Sequence, residues 1–130
     1  MNKTVINPWQ WQDQLGYAQA VEVPSSTHTL YCAGQAAMDA NGQPVDGAMA
    51  EQISLSFDNL NRILQQAGYS LKNVVRLNFY TTSIEQFFVA YGQVISRLQI
   101  AGCIPSSTLT EVNALAFPQL MIEIEATAVR

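Results

Sequence analysis

Two stretches of the chain repeat hydrophobic residues at spacings of three and four, the period of an amphipathic helix. The first stripe consists of Met49, Ile53, Phe57, Leu60, Leu64 and Ala67, followed by Gly68 as a C-terminal stop. The second consists of Phe87, Tyr91, Val94, Ile95 and Leu98. Ser83 and Gln86 precede this second stripe as a capping box, and Gly102 ends it. The pattern therefore predicts two helices.

Other stretches alternate hydrophobic and polar residues with the period of two that is typical of strands. Residues 17–23 and 28–34 alternate on either side of the turn-like "PSST", which predicts a pair of adjacent strands. Residues 38–45 contain Asn41-Gly42 and predict a loop. Residues 73–82 and 120–129 predict two longer strands, and "SSTLTEV" at 106–112 predicts a strand rich in hydroxyl side chains.

The predicted order of elements is strand, strand, helix, strand, helix, strand, strand. It indicates a single α+β domain over residues 1–130, a two-layer sandwich with two helices packed on one mixed β-sheet. In 73–82, Val75, Leu77 and Phe79 are predicted to face the helices, and Val74 to face away. The far side of the sheet is a mixture of charged, polar and apolar side chains: Arg76, Asn78, Tyr80, Glu123 and Glu125 among Val and Met. Such a surface favours an interface between subunits that contains clefts.

Composition and charge reduce the number of possible function classes. Of the 130 residues, 48% are hydrophobic and only 12% are charged, which favours an oligomer that covers part of its surface. Six basic and ten acidic residues are scattered along the chain, so we expect no nucleic-acid partner. No signal-like or membrane-length apolar run is present, so we expect no membrane partner and a cytoplasmic location.

Few side chains are candidates for chemistry. His28 is the only histidine, which excludes multi-histidine metal sites, and it is expected to be a strand histidine that either faces solvent or has its hydrogen bonds satisfied. Cys32 and Cys103 lie far apart among apolar neighbours and are expected to pack as small hydrophobic residues, so no metal site is predicted. Glu123 remains as a carboxylate that, partly withdrawn from water, could hold a water or transfer a proton. A salt bridge with Arg76 is the alternative, and the residues alone favour it slightly.

Five segments, in order and spacing, resemble the RidA/YjgF family of enamine/imine deaminases, and together they cover nearly the whole chain. They are "YAQAV" (17–21), "AGQAAMDANGQPV" (33–45), "QISLSFDNLNRILQQAGYSLKNVVRLNFYTT" (52–82), "IPSSTLTEV" (104–112) and "IEIEATAV" (122–129). The resemblance implies a chorismate-mutase-like fold, assembled as a homotrimer with small-molecule clefts between subunits. It also implies hydrolysis of 2-imino and 2-enamino acids to 2-keto acids and ammonia, without a metal or organic cofactor.

The resemblance also assigns site residues. Tyr17 and Gly34 match positions that shape the family's pocket, and Glu123 matches the glutamate that positions water. Leu109 is also predicted to bind the substrate. Three positions depart from the pattern. Ala33 stands where a serine is common, and Tyr91 stands near where the second helix often carries an asparagine. Ser107 stands where the family places the arginine that grips the substrate carboxylate. A serine cannot replace that charge, which is worth on the order of 1.5–3 kcal/mol in a bidentate pair.

Two functions remain open. In the first, the protein hydrolyses a C=N compound that lacks a carboxylate: Ser107 and Thr108 bind the substrate, Tyr17 covers it, and Glu123 orients water. In the second, the trimer binds a metabolite or a protein without chemistry. An endoribonuclease activity, a label given to some relatives, is disfavoured by the acidic balance. The segment "NPWQWQ" (7–12) is predicted to form a flap packed on the subunit surface, or alternatively a lid over the cleft.

Overall fold

The computed structural model describes residues 2–130, which have an α+β fold with helices on one side of a mixed sheet. Six strands are found among these residues: β1 (Thr4–Ile6), β2 (Ala20–Glu22), β3 (Thr29–Ala36), β4 (Val74–Thr81), β5 (Ser106–Glu111) and β6 (Ile122–Val129). The four longest form one sheet in the order β3-β6-β4-β5. Only the β4–β5 pair is parallel, and the pairs β3–β6 and β4–β6 are antiparallel. The predicted two-layer sandwich on a mixed sheet is thereby confirmed.

Helix α1 (Met49–Gln66) lies across this sheet and supplies much of the core. Its predicted stripe is buried against alternate side chains of β4 and β6: Met49, Ile53, Phe57, Leu60 and Leu64 from the helix, Leu77 and Phe79 from β4, and Ile122, Ile124, Ala126 and Ala128 from β6. Gly68 adopts a φ of 82° just beyond the helix, where a side chain would be strained. The first predicted helix and its stop are therefore confirmed.

The second predicted helix is two helices, α2 (Ile84–Val89) and α3 (Gly92–Ala101). Ser83 caps α2, because its side chain accepts a hydrogen bond from the Gln86 backbone N–H at 3.2 Å. The other half of the predicted capping box is missing, since the Ser83 N–H donates to Thr81 Oγ1 at 3.2 Å. The chain leaves the helical path at Ala90 and Tyr91, just before Gly92, a residue with low helix propensity. The break places the Tyr91 hydroxyl 2.6 Å from the Leu15 carbonyl oxygen, to which it donates a hydrogen bond.

Two strand predictions were wrong. Residues 17–23 do not pair with 28–34: β2 pairs with β1, which the sequence pattern had missed, and β3 pairs with β6. In β4, Val74 rather than Val75 is buried in the core, because the register with β6 shifts between Val74 and Arg76. One extra residue at this bulge inverts the alternation at the start of the strand.

The cysteines and tryptophans have opposite environments. Cys32 and Cys103 are free and buried, as expected for small hydrophobic residues, and burial raises the pKa of the Cys103 thiol to about 11. Trp9 and Trp11 stack on each other with ring centroids 6.3 Å apart, but they are 56% and 64% exposed. Within one chain, therefore, these two rings do not form the packed flap that was predicted for "NPWQWQ".

The sheet face that α1 does not cover, here called the open face, carries side chains of intermediate exposure. Its residues include Arg76, Asn78 and Tyr80 of β4 and Glu123, Glu125 and Thr127 of β6. Asn78 and Tyr80 both donate hydrogen bonds to Glu125 Oε1, at 2.9 and 3.2 Å. That hydrogen bond from Tyr80 is the main reason why the pKa of its phenol is raised. The predicted mixed face is therefore present, with Glu125 already engaged.

Candidate functional site

A cavity of about 510 Å³ lies between the N-terminal segment, α2 and β5. We call it the aromatic pocket, and its lining residues are Leu15, Tyr17, Gln19, Phe79, Phe87, Phe88, Tyr91, Ser107 and Leu109. The volume is in the range of sites that bind small organic molecules. Three of the site residues predicted from the sequence, Tyr17, Ser107 and Leu109, therefore meet in one place.

Strand register explains why Ser107 and Leu109 reach this pocket. Ser107 lies opposite Leu77 and Leu109 lies opposite Phe79, so both point to the helix side of the sheet. β5 is at the edge of the sheet, beyond the cover of α1, so the space above it stays open. The Ala18 N–H donates to the Pro105 carbonyl at 2.9 Å, which brings the neighbouring Tyr17 beside the start of β5.

Tyr91 joins the two walls of the aromatic pocket. Its ring packs against Phe87 and Phe88, and its hydroxyl donates to the Leu15 carbonyl on the opposite wall. Burial, with a smaller contribution from the nearby Tyr17 phenol, raises the pKa of Tyr91 to about 12. Tyr91 therefore stays neutral over the physiological pH range and acts as a hydrogen-bond donor that holds the pocket together.

Glu123 lies elsewhere, on the open face, against Gly34. The register of β3 and β6 shifts between Cys32 and Gln35, so Ala33 and Gly34 form a bulge beside Glu123. A Cβ atom built on Gly34 would lie 2.6 Å from Glu123 Cδ and 2.9 Å from Oε2. Only glycine leaves room for the carboxylate here, which is the close approach that glycine in a strand often marks.

The Gly34–Glu123 contact leads to a prediction. Replacing Gly34 by alanine is expected to push the Glu123 carboxylate from its place and to cost about 1–3 kcal/mol of unfolding free energy, as overpacking does. Urea unfolding and a crystal structure of the variant would measure both effects. Gly92→Ala is the matched control, because a Cβ there meets nothing within 4 Å. Equal stability of the two variants, with Glu123 unmoved, would contradict the prediction.

The expected salt bridge between Arg76 and Glu123 is absent. Arg76 instead donates a hydrogen bond to Thr108 Oγ1 at 2.6 Å, across the neighbouring strands β4 and β5. The one ion pair among residues 2–130 joins Arg97 to Asp58. Glu123 thus has no cationic partner within the described chain, and the alternative favoured from the residues alone was wrong.

Thr108 does not share the pocket with Ser107. It lies opposite Asn78, on the open face, and its hydroxyl is occupied by Arg76. The expectation that Ser107 and Thr108 bind one substrate together is therefore wrong within a single chain, because neighbouring residues of a strand face opposite sides. Arg76, for the same reason, is not part of the pocket lining.

The predicted site residues therefore form two groups on opposite faces of the sheet. Tyr17, Ser107 and Leu109 line the aromatic pocket, whereas Gly34 and Glu123 meet on the open face. Ala33 is exposed in the bulge, and its carbonyl accepts a hydrogen bond from the Gln35 side chain at 3.1 Å. The sequence had missed Leu15, Gln19 and Phe88 as pocket residues, although the aromatic run "FFVAY" at 87–91 was a usable signal.

Metal-ligating side chains are not grouped. Between residues 2 and 130, no cluster of three or more His, Cys, Asp or Glu residues could hold a metal ion. His28 is exposed, as expected, and its ring Nδ1 lies 2.9 Å from the Thr27 hydroxyl. Across the same span, no helix is long and apolar enough to cross a membrane.

Known proteins share this fold and much of this sequence. Residues 12–130 match the family described as endoribonuclease L-PSP. A rat 2-iminobutanoate/2-iminopropanoate deaminase is 36% identical over 115 residues, which cover 88% of this chain and 80% of the rat protein. A crystal structure of a Yersinia pestis protein of unknown function, from the conserved Rid family, superimposes with a TM-score of 0.88 at 37% identity, over the full length of both chains.

The chain belongs to the RidA/YjgF family. The crystal structure of the Escherichia coli YjgF gene product has the same fold, with a TM-score of 0.72 at 24% identity over 88% of this chain and 87% of that one. Among RidA/YjgF relatives, the rat protein is named for an imine deaminase activity. The fold and the family are thus shown, and the chemistry of this member has to be argued from its own residues.

Proposed function

We propose that this RidA/YjgF protein is a homotrimer that hydrolyses an uncharged imine or enamine to a carbonyl compound and ammonia, in clefts between its subunits. The observation that carries the proposal is the Glu123 carboxylate, which has no cationic partner and is seated where Gly34 leaves room for it. The name of the rat relative supports the reaction class. We further propose a cytoplasmic location, and neither a metal nor an organic cofactor.

The reaction needs one water and one proton carrier. Glu123 would accept a proton from water while the water oxygen attacks the imine carbon, forming a carbinolamine. Glu123 would return this proton to the nitrogen, which gives the neutral carbinolamine R₂C(OH)NH₂. It would then take the hydroxyl proton and pass it to the amine nitrogen, so that the C–N bond breaks and ammonia leaves as the C=O bond forms. Atoms balance as R₂C=NH + H₂O → R₂C=O + NH₃. An enamine would first tautomerise to the imine and would then be hydrolysed by the same steps.

An assembly is part of the proposal because one chain separates the two halves of the site. The pocket residues Tyr17 and Ser107 and the carboxylate of Glu123 lie on opposite faces of one sheet. Packing of the open face against a neighbouring subunit would cover its polar side chains and could set one subunit's Glu123 beside another's pocket. In a cyclic trimer such contacts are heterologous, so that each subunit presents its open face to a different surface of its neighbour.

The test is a turnover assay on the purified full-length protein. Imines are generated in the cuvette, semicarbazide competes for them, and the fall in semicarbazone yield reports hydrolysis; light scattering gives the oligomeric state. We expect a trimer that hydrolyses an uncharged ketimine faster than the matching 2-imino acid. A trimer that hydrolyses neither compound would refute the enzymatic function.

That refutation would favour the second candidate, a trimer that binds a small metabolite or a partner protein without chemistry. One observation supports this candidate: the aromatic pocket is a formed cavity, yet none of its lining residues is charged. Detection of metabolite binding without turnover would establish it.

RNA cleavage is not expected, although the family description contains the word endoribonuclease. The chain has a net charge of −4, and its six basic residues are scattered along the sequence, without the basic run that binding to a phosphate backbone favours. A labelled RNA incubated with the wild type and with Glu123→Ala should be cleaved equally slowly by both. Faster cleavage by the wild type would contradict this prediction.

A further inference from the structure

The aromatic pocket has a chemical character that the proposed reaction does not require. Its nine lining residues include five aromatic side chains and no charged one. Four of the rings form a tilted, edge-on cluster: the Phe79–Phe87 and Phe87–Tyr91 centroids are 5.5 Å apart, and the Phe87–Phe88 and Phe88–Tyr91 centroids are 6.1 Å apart. Aromatic pairs favour these geometries, so the cluster is a rigid wall.

We propose that this wall binds the aryl ring of an uncharged arylalkyl imine or enamine, with the C=N group directed to the hydroxyl of Ser107. The inference rests on the proposed function for the C=N group, but the recognition of the ring can be measured without turnover. Phe88 is 58% exposed at the rim, so part of its ring is available to a ligand. Tyr17, on the opposite wall, provides a second ring for it.

The lack of a cationic side chain in the aromatic pocket argues against a ligand with a carboxylate. A carboxylate that enters a cavity without a cation loses its hydration and gains no ion pair. The nearest candidate cation on β4, Arg76, is held by Thr108 on the other face of the sheet. The polar groups that line the pocket, from Gln19, Ser107 and the two tyrosines, are neutral donors and acceptors, which suit an amide-like or imine-like group.

Size decides against a short aliphatic ligand. A two- to four-carbon chain would fill little of a cavity of about 510 Å³ and would leave the accessible rings of Tyr17, Phe88 and Tyr91 facing water. A phenyl ring on a short alkyl chain makes many more dispersion contacts and adds ring–ring geometry that an aliphatic chain cannot offer. The ring therefore supplies most of the expected affinity.

Three stable probes separate these features in a calorimetric titration of the full-length protein. Phenylacetamide carries the ring and a neutral planar group, phenylacetate carries the ring and a charge, and butyramide carries the neutral group without a ring. We expect phenylacetamide to bind at least about tenfold more tightly than either of the others. Phe88→Ala should weaken phenylacetamide binding about tenfold, since ring contacts at an exposed rim are lost.

Val89→Ala is the matched control, because Val89 is the next residue along α2, is 87% exposed and does not line the pocket. Its affinity for phenylacetamide should equal that of the wild type. Both variants alter exposed side chains, so the fold should be preserved, and circular dichroism checks this.

Equal binding of phenylacetamide and phenylacetate, or of phenylacetamide and butyramide, would overturn the inference. Absence of binding by all three would also overturn it, since the pocket would then be filled by a neighbouring copy. Ring-selective binding together with no imine turnover would leave the inference standing and refute the enzymatic function. Turnover of small aliphatic imines without ring-selective binding would support the enzymatic function and refute this inference.

Discussion

Glu123→Gln is expected to lower imine turnover by about a hundredfold or more, the usual contribution of a positioned general base. Glutamine has nearly the same shape, so it keeps the contact with Gly34, but its amide cannot accept a proton from water. Steady-state measurement of semicarbazide-competed hydrolysis would show a fall in kcat with little change in KM.

Glu125→Gln is the control for this loss. Glu125 lies two residues further along β6, on the same face, and is hydrogen-bonded by Asn78 and Tyr80. Its replacement should leave the turnover number within a few-fold of the wild type. If the two variants lose activity equally, or if Glu123→Gln keeps full activity, Glu123 does not act as the base.

Ser107→Arg is expected to reverse the preference of the site between neutral and carboxylate substrates. A guanidinium placed in the aromatic pocket could pair with a substrate carboxylate through two hydrogen bonds, which corresponds to a gain of roughly ten- to a hundredfold in affinity. The KM for a 2-imino acid should fall accordingly, while the KM for an uncharged imine should rise or stay constant.

Ile100→Arg adds the same charge to α3 at a residue that is exposed and outside the pocket lining, so it controls for net charge. It should leave both KM values unchanged. A wild type that already binds 2-imino acids as tightly as Ser107→Arg would show that another cation completes the site in the assembly.

The sequence predicted the layers of the fold because they depend on periodicity. The stripe of α1 and the alternation in β6 both follow from which side chains must leave water, and the structure has them as predicted. The errors occur where a single residue shifts the register of the hydrophobic pattern within a strand or helix. The bulge at Val75 inverts one end of β4, and the break at Ala90 divides the second helix. Neither event alters the average pattern, so periodicity alone could not reveal it.

The candidate site could be predicted only in part, for a different reason. Resemblance singled out Tyr17, Ser107 and Glu123, and periodicity placed Glu123 on the open face, but neither revealed that Tyr17 and Ser107 lie on the other side of the sheet. Phe88 was overlooked because it falls outside the helical stripe, which was expected to mark only the core. Leu15 and Gln19 enter the pocket through tertiary contacts, such as the hydrogen bond from Tyr91 to the Leu15 carbonyl, that have no local pattern.

The bulge in β3 also determines which of the following residues face each side of the sheet. Before it, Leu30 and Cys32 share the helix side with Ala128 and Ala126, and after it Gln35 takes that side, opposite Ile124. Ala36, a small residue, is thereby left on the side of Glu123. If the same residues continued from Cys32 as a regular ladder, without the bulge, Gln35 would lie opposite Glu123 and would bring a bulky amide beside the carboxylate. The space around Glu123 is thus encoded by residue count as well as by residue type.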